Sequence, residues 1–138
     1  MALFSHVDLR VRRQPEAFRF YNALLGSMGF HVVKAERFDE HEPTWRRAGW
    51  VANDEFFGFI VDPEFVANQT RLAFAAKSPA EVDRLAAVAL EHGANDYDPP
   101  HDYGGYYAAF FEDPDGNRLE ICYLQQHGGL AADPLHRS

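Results

Sequence analysis

The sequence predicts an α+β fold made of two βαβββ modules. A period-two stretch followed by a helical-period stretch occurs twice, and three further strand-like runs follow each helix. The two predicted helices also keep one offset at both ends, Pro15 to Pro79 and Gly29 to Gly93 both being 64 residues apart. An offset held at the start and the stop of a helix marks an internal repeat.

The first strand is read at residues 3–11, where Val7, Leu9 and Val11 alternate with His6, Asp8 and Arg10. Pro15 and Glu16 suit a first helical turn, and Gly29 supplies the stop. Phe18, Tyr21, Leu25 and Met28 form the expected apolar stripe between them. The runs FHVVKAERF, TWRRAGWVA and EFFGFIV then read as strands that close module one at residue 61. Residues 62–69 form a linker to module two, which spans residues 70–124.

In module two, RLAFAA (71–76) is the first strand. The helix opens on a Ser78-x-x-Glu81 capping box with Pro79 at the first helical position, and it ends at Gly93. Val82, Leu85, Ala86, Ala89 and Leu90 make its expected buried stripe. A short strand near 95–98 and a Pro/Gly-rich loop, DPPHDYGG (98–105), precede YYAAFFE and RLEICYL. Those last two runs fold about Asp113-Pro114-Asp115-Gly116-Asn117, a turn with restricted φ at proline and a left-handed position at glycine. The tail, 125–138, has no clear period.

Composition bounds the function. The 138 residues, 46% hydrophobic and 14% aromatic, can fill one domain of some size. A net charge of -8 disfavours nucleic acid. No apolar stretch approaches the roughly 20 residues of a membrane span, so a soluble cytoplasmic protein is expected. Cys122 is the single cysteine, which excludes an internal disulfide and a Cys-x-x-Cys site and leaves any metal to nitrogen and oxygen donors. P-loop, dinucleotide-binding and serine-hydrolase motifs are absent from the sequence.

Two such modules, with HVDLRV at the start and FFEDPDGNRLEI at the end, resemble the vicinal oxygen chelate superfamily, which includes glyoxalase I, bleomycin-resistance proteins and extradiol dioxygenases. The resemblance spans roughly residues 3–124. It implies a cupped, partly open mixed β-barrel with the helices outside, a small-molecule pocket in the cup and a homodimer. It also implies a lyase, isomerase or dioxygenase-like enzyme acting on a small oxygenated substrate, or else a metal-free, homodimeric drug-binding protein of the bleomycin-resistance type.

Carried onto this chain, the family's divalent-metal positions fall on His6 and Glu120, for zinc, nickel, iron or manganese. The second module's histidine position holds Arg71 instead, and where some members have a further glutamate in the last strand of the first module this chain has only FFGFIV. Arginine offers five donors and no lone pair, so Arg71 opposes a cation and provides Glu120 with a planar partner. Two readings follow: a degenerate metal site on His6 and Glu120, or an Arg71–Glu120 charge pair. Under either, Glu120, Arg71, Tyr106 and His101 are the candidate catalytic residues. Asp102, beside His101 on the loop, is a further possible donor.

Register adds detail. If Glu112 pairs with Arg118 across the closing hairpin, Tyr106, Ala108 and Phe110 join the sheet face of Glu120 and Cys122. Trp45, Trp50, Phe57 and Phe59 are expected as core. His31, His41, His92, His127 and His136 are expected at surfaces or helix ends, His92 at the negative end of its helix.

Overall fold

The computed structural model describes residues 4–33, 42–48 and 54–125. The expectations at His41, Trp50, His127 and His136, and for the tail from residue 126, lie outside the described residues. The chain divides into two compact units, Met1–Ala67 and Asn68–Ser138. Each builds the same sequence of elements.

The first unit contains β1 (His6–Val11), α1 (Gln14–Ser27), β2 (His31–Val33), β3 (Thr44–Arg47) and β4 (Glu55–Val61). Its sheet runs β1-β4-β3-β2, with β1 parallel to β4 and the other neighbours antiparallel. The second contains β5 (Arg71–Ala75), α2 (Pro79–Glu91), β6 (Asn95–Asp102), β7 (Tyr106–Glu112) and β8 (Arg118–Leu124). Its order is β5-β8-β7-β6, again with the first and last strands parallel. The strands thus pair as two four-stranded sheets, one per unit, and among the described residues no ladder joins them into one closed barrel.

The helix ends show how local chemistry builds the repeat. Both helices stop at a left-handed glycine, Gly29 at φ +93° and Gly93 at φ +110°. Beyond each glycine a backbone N–H returns to the last turn, Phe30 to the Leu25 carbonyl and Ala94 to the Ala89 carbonyl. These are the six-to-one bonds of a Schellman motif. At the start of α2, Ser78 accepts from the Glu81 N–H at 3.1 Å. The Glu81 carboxyl reaches back to the Lys77 N–H, one residue beyond the usual capping-box partner.

Each helix buries one stripe, with corrections to the expected membership. In α1 the buried residues are Ala17, Phe20, Tyr21, Leu24 and Leu25. Phe18 and Met28 are half-buried at its margin. Tyr21 packs 5.2 Å from Phe57 and 6.1 Å from Phe59, ring centre to ring centre. Trp45 is fully buried in the same cluster and donates its indole N–H to Asn22. In α2 the stripe is Val82, Leu85, Ala86 and Ala89, while Leu90 is 51% exposed. The residues at i, i+3, i+4 and i+7 already fill the face, and Leu90 falls beyond it.

The second correction concerns residues 98–105. The short strand expected near 95–98 continues to Asp102 as β6, through Pro99 and Pro100. Its pairing with β7 is irregular, with register shifts between Asn95 and Asp98 and between Asp98 and His101. As the edge strand of its sheet, β6 tolerates prolines that lack an N–H, and the bulges absorb them.

Candidate functional site

The hairpin of β7 and β8 sets the geometry. Glu112 pairs with Arg118, Phe110 with Glu120, Ala108 with Cys122 and Tyr106 with Leu124. Tyr106, Ala108 and Phe110 therefore share the face of Glu120 and Cys122. The turn that fixes this register is tied by Asp113, which is fully buried and accepts from the Asp115 and Asn117 N–H groups and from the Asn117 side chain. Gly116, at φ +95°, occupies the left-handed position.

Glu120 is 3% exposed, and the Tyr106 hydroxyl donates to its Oε2. Tyr106 pairs not with Glu120 but with Leu124, four residues further along β8, a strand distance of about 13 Å. To meet, the two side chains lie along the sheet across the Ala108–Cys122 pair. Ala108 is fully buried beside Tyr106, and Cys122 packs against the same cluster. Burial raises the Tyr106 pKa far above its ordinary value, and hydrogen bonds to Glu120 and Cys122 add to the shift. The phenol is thereby held as a proton donor.

Arg71, expected to pair with Glu120, lies elsewhere. It opens β5 abreast of Arg118, whereas Glu120 is abreast of Ala73. Its guanidinium carbon stands 4.9 Å from the centre of the Phe110 ring, a cation–π contact. Phe110 in turn meets Tyr103 edge-on at 6.0 Å, and Tyr103 meets His101 edge-on at 4.7 Å. Sequence reasoning placed Phe110 on this face but treated it as core, and it did not single out Tyr103.

His101 is exposed on β6 opposite Ala108. Asp102 is engaged in the following turn, accepting from the N–H groups of Gly104 and Gly105. His92 lies at its helix end, with Nδ1 2.8 Å from the Val88 carbonyl.

His6 belongs to the first unit, on the exposed face of β1. Its Nδ1 is 2.8 Å from the Ser5 hydroxyl and its Nε2 is 3.8 Å from Asp8. The position in β4 abreast of Asp8 is Gly58. A Cβ there would meet the Pro43 carbonyl at 3.0 Å and Asp8 Oδ1 at 3.5 Å, so a side chain at this position requires the neighbouring carbonyl to give by a few tenths of an ångström.

These residues do not fit a divalent metal. Among the described residues no three His, Cys, Asp or Glu side chains gather into a possible ligand group. In the second unit the strand face of Glu120 carries Arg71, a cation with no lone pair, and a site of this kind wants three or four neutral-imidazole or anionic donors.

The fold and this hairpin define a class. The profile of the Glyoxalase/Bleomycin resistance protein/Dioxygenase superfamily matches residues 3–121, and the chain belongs to that superfamily. Among solved structures, a glyoxalase/bleomycin resistance protein from Albidiferax ferrireducens T118 is 26% identical with a TM-score of 0.70, over 88% of this chain and 98% of that one. A family enzyme from Burkholderia phytofirmans PsJN is 20% identical with a TM-score of 0.64, over 87% and 97%. The fosfomycin resistance protein FosX from Mesorhizobium loti is 18% identical with a TM-score of 0.63, over 89% and 92%, and shares the fold. No curated protein matches by sequence. No described helix is long and apolar enough to cross a membrane.

Proposed function

We propose that the chain is a small-molecule lyase or isomerase of this superfamily that moves a proton with Glu120 and requires no resident divalent ion. The hydrogen bond from Tyr106 to Glu120 carries the reading. It fixes the orientation of a buried carboxyl group, and the phenol, which keeps its proton, remains a hydrogen-bond donor to that group. In the proposed step Glu120 takes a proton from a carbon next to a carbonyl. The C–H electron pair becomes the C=C bond of an enolate whose charge rests on the carbonyl oxygen; the proton on Glu120 exchanges with solvent, and Glu120 then delivers a proton back to the enolate and is left as the carboxylate.

The metal-dependent alternative, with zinc, nickel, iron or manganese on His6 and Glu120, is the weaker because the donor set falls short. A second reading, ligand binding without turnover by a homodimer of the bleomycin-resistance type, is favoured by the aromatic wall of Phe110, Tyr103 and His101. Membership of the superfamily supports a homodimer under both readings, checked by light scattering at twice the chain mass. With no membrane-crossing helix described, the cytoplasm is the proposed compartment.

The test is deuterium exchange into small carbonyl compounds, followed by NMR in the presence of chelator. Exchange by the parent that falls about 100-fold or more in Glu120→Gln supports the enzyme reading. Exchange that chelator abolishes favours the metal alternative, and ligand binding with no exchange favours sequestration.

A further inference from the structure

We infer that the Glu120 face of the second sheet takes a small organic oxyanion, a carboxylate or a phosphonate, held through its anionic group by the Arg71 guanidinium. This rests on the reading of that face as the functional site, and it names the substrate class.

Arg71 is exposed at the head of β5, yet its guanidinium is placed, packed against the face of Phe110. Tyr103 holds that ring from another side and His101 backs Tyr103, so the arginine stands at the end of a run of packed rings. The chain carries 21 acidic against 13 basic residues, but Arg71 rests on an aromatic ring rather than on one of those acids. Arg118, the neighbouring cation, has Glu112 opposite it across the hairpin. The contact with Phe110 leaves the edge of the guanidinium and its planar fork of N–H donors to receive two oxygens of one group.

The floor beside it is low. Ala73 and Ala75, exposed on the same face, lie abreast of Glu120 and Cys122. Arg71 and Ala73 are two residues apart along β5, a backbone step of about 7 Å, and Glu120 is abreast of Ala73, so the positions of the arginine and the carboxyl group are separated on the scale of a small ligand. The charges also impose a direction. Glu120 repels an anionic group and Arg71 attracts it, which turns the reacting carbon toward Glu120. In this site a fixed guanidinium takes the place that a cation fills elsewhere in the superfamily.

The test is calorimetric titration with benzoate, phenylphosphonate and neutral benzamide, on the parent and on Arg71→Gln, Arg71→Lys and Glu120→Gln. The parent is expected to bind at least one anion about tenfold or more tighter than benzamide. Arg71→Gln loses that preference, and Arg71→Lys keeps part of it for phenylphosphonate but less for benzoate, where the fork matters. The exposed position lets these variants fold, and the Arg71 Nε–Hε resonance of the parent should move on titration with the anion. Equal binding of benzoate and benzamide, a preference that survives Arg71→Gln, or no anion binding up to the solubility limit overturns the inference. Glu120→Gln separates the two proposals: it abolishes proton exchange while leaving the anion preference in place.

Discussion

The hydroxyl of Tyr106 reaches Glu120 across a fully buried alanine, although the hairpin pairs Tyr106 with Leu124. Removing the hydroxyl takes away a buried donor. Tyr106→Phe should destabilise the protein by about 1–3 kcal/mol in urea unfolding. Adding Glu120→Gln should cost less in the Tyr106→Phe background than in the parent. Strict additivity of the two changes would show that the bond contributes nothing.

Alkaline titration offers a separate check. An unfolded tyrosine releases its proton near pH 10, whereas folded Tyr106 keeps it well beyond. The unfolded state then binds fewer protons, so stability is whole below about pH 10 and declines above it. Tyr97 and Tyr107 are shifted upward too, Tyr97 by burial and Tyr107 by its hydrogen bond to Asp83. Tyr106→Phe should flatten the decline in part, and an unchanged slope would contradict the assignment.

Ala108 is predicted to be as necessary as either partner. A leucine there would occupy the path of the phenol and overfill a closed cluster, at a cost of roughly 1–3 kcal/mol. Ala108→Leu should also lower proton exchange, whereas Ala109→Gly, on the opposite face, should cost stability and leave exchange intact.

Gly58 tests the first unit. The Cβ of Gly58→Ala would press on the Pro43 backbone carbonyl at 3.0 Å, so that carbonyl must give by a few tenths of an ångström. Thermal unfolding should show a loss of about 1–3 kcal/mol. A neutral outcome would mean that β4 has slack the structure does not show.

Chelation should leave the Tm of the parent unchanged, and added zinc, nickel or manganese should not raise it. A metal-dependent shift already present in the parent would count against the proposed function.

The elements that the sequence disclosed were those governed by neighbouring residues. Ser78, Pro79 and the glycines at 29 and 93 act within one turn of the backbone, so the helix ends were legible. The closing hairpin was legible for the same reason, since Asp113 to Asn117 determine its turn and the turn determines its register. The continuation of β6 beyond residue 98 was missed because Pro99 and Pro100 argue against a strand anywhere but at an edge, and edge position is a property of the whole sheet. Glu120 was placed on the sheet face of Tyr106, Ala108 and Phe110, but its partner was not identified. Choosing Tyr106 over Arg71 depends on side chains lying along the sheet and on an arginine captured by Phe110, and neither is encoded by spacing.

The parallel pairing of the first and last strands in each unit has a kinetic consequence. Helix α2 and the β7–β8 hairpin make local contacts, whereas β5 meets β8 only after almost the whole unit has been threaded between them. Loop closure makes that seam the late step of folding. Arg71 and Glu120 stand on its two sides, so a half-folded second unit has hairpin and helix but no assembled site, and ligand should bind only to chains that have completed the seam.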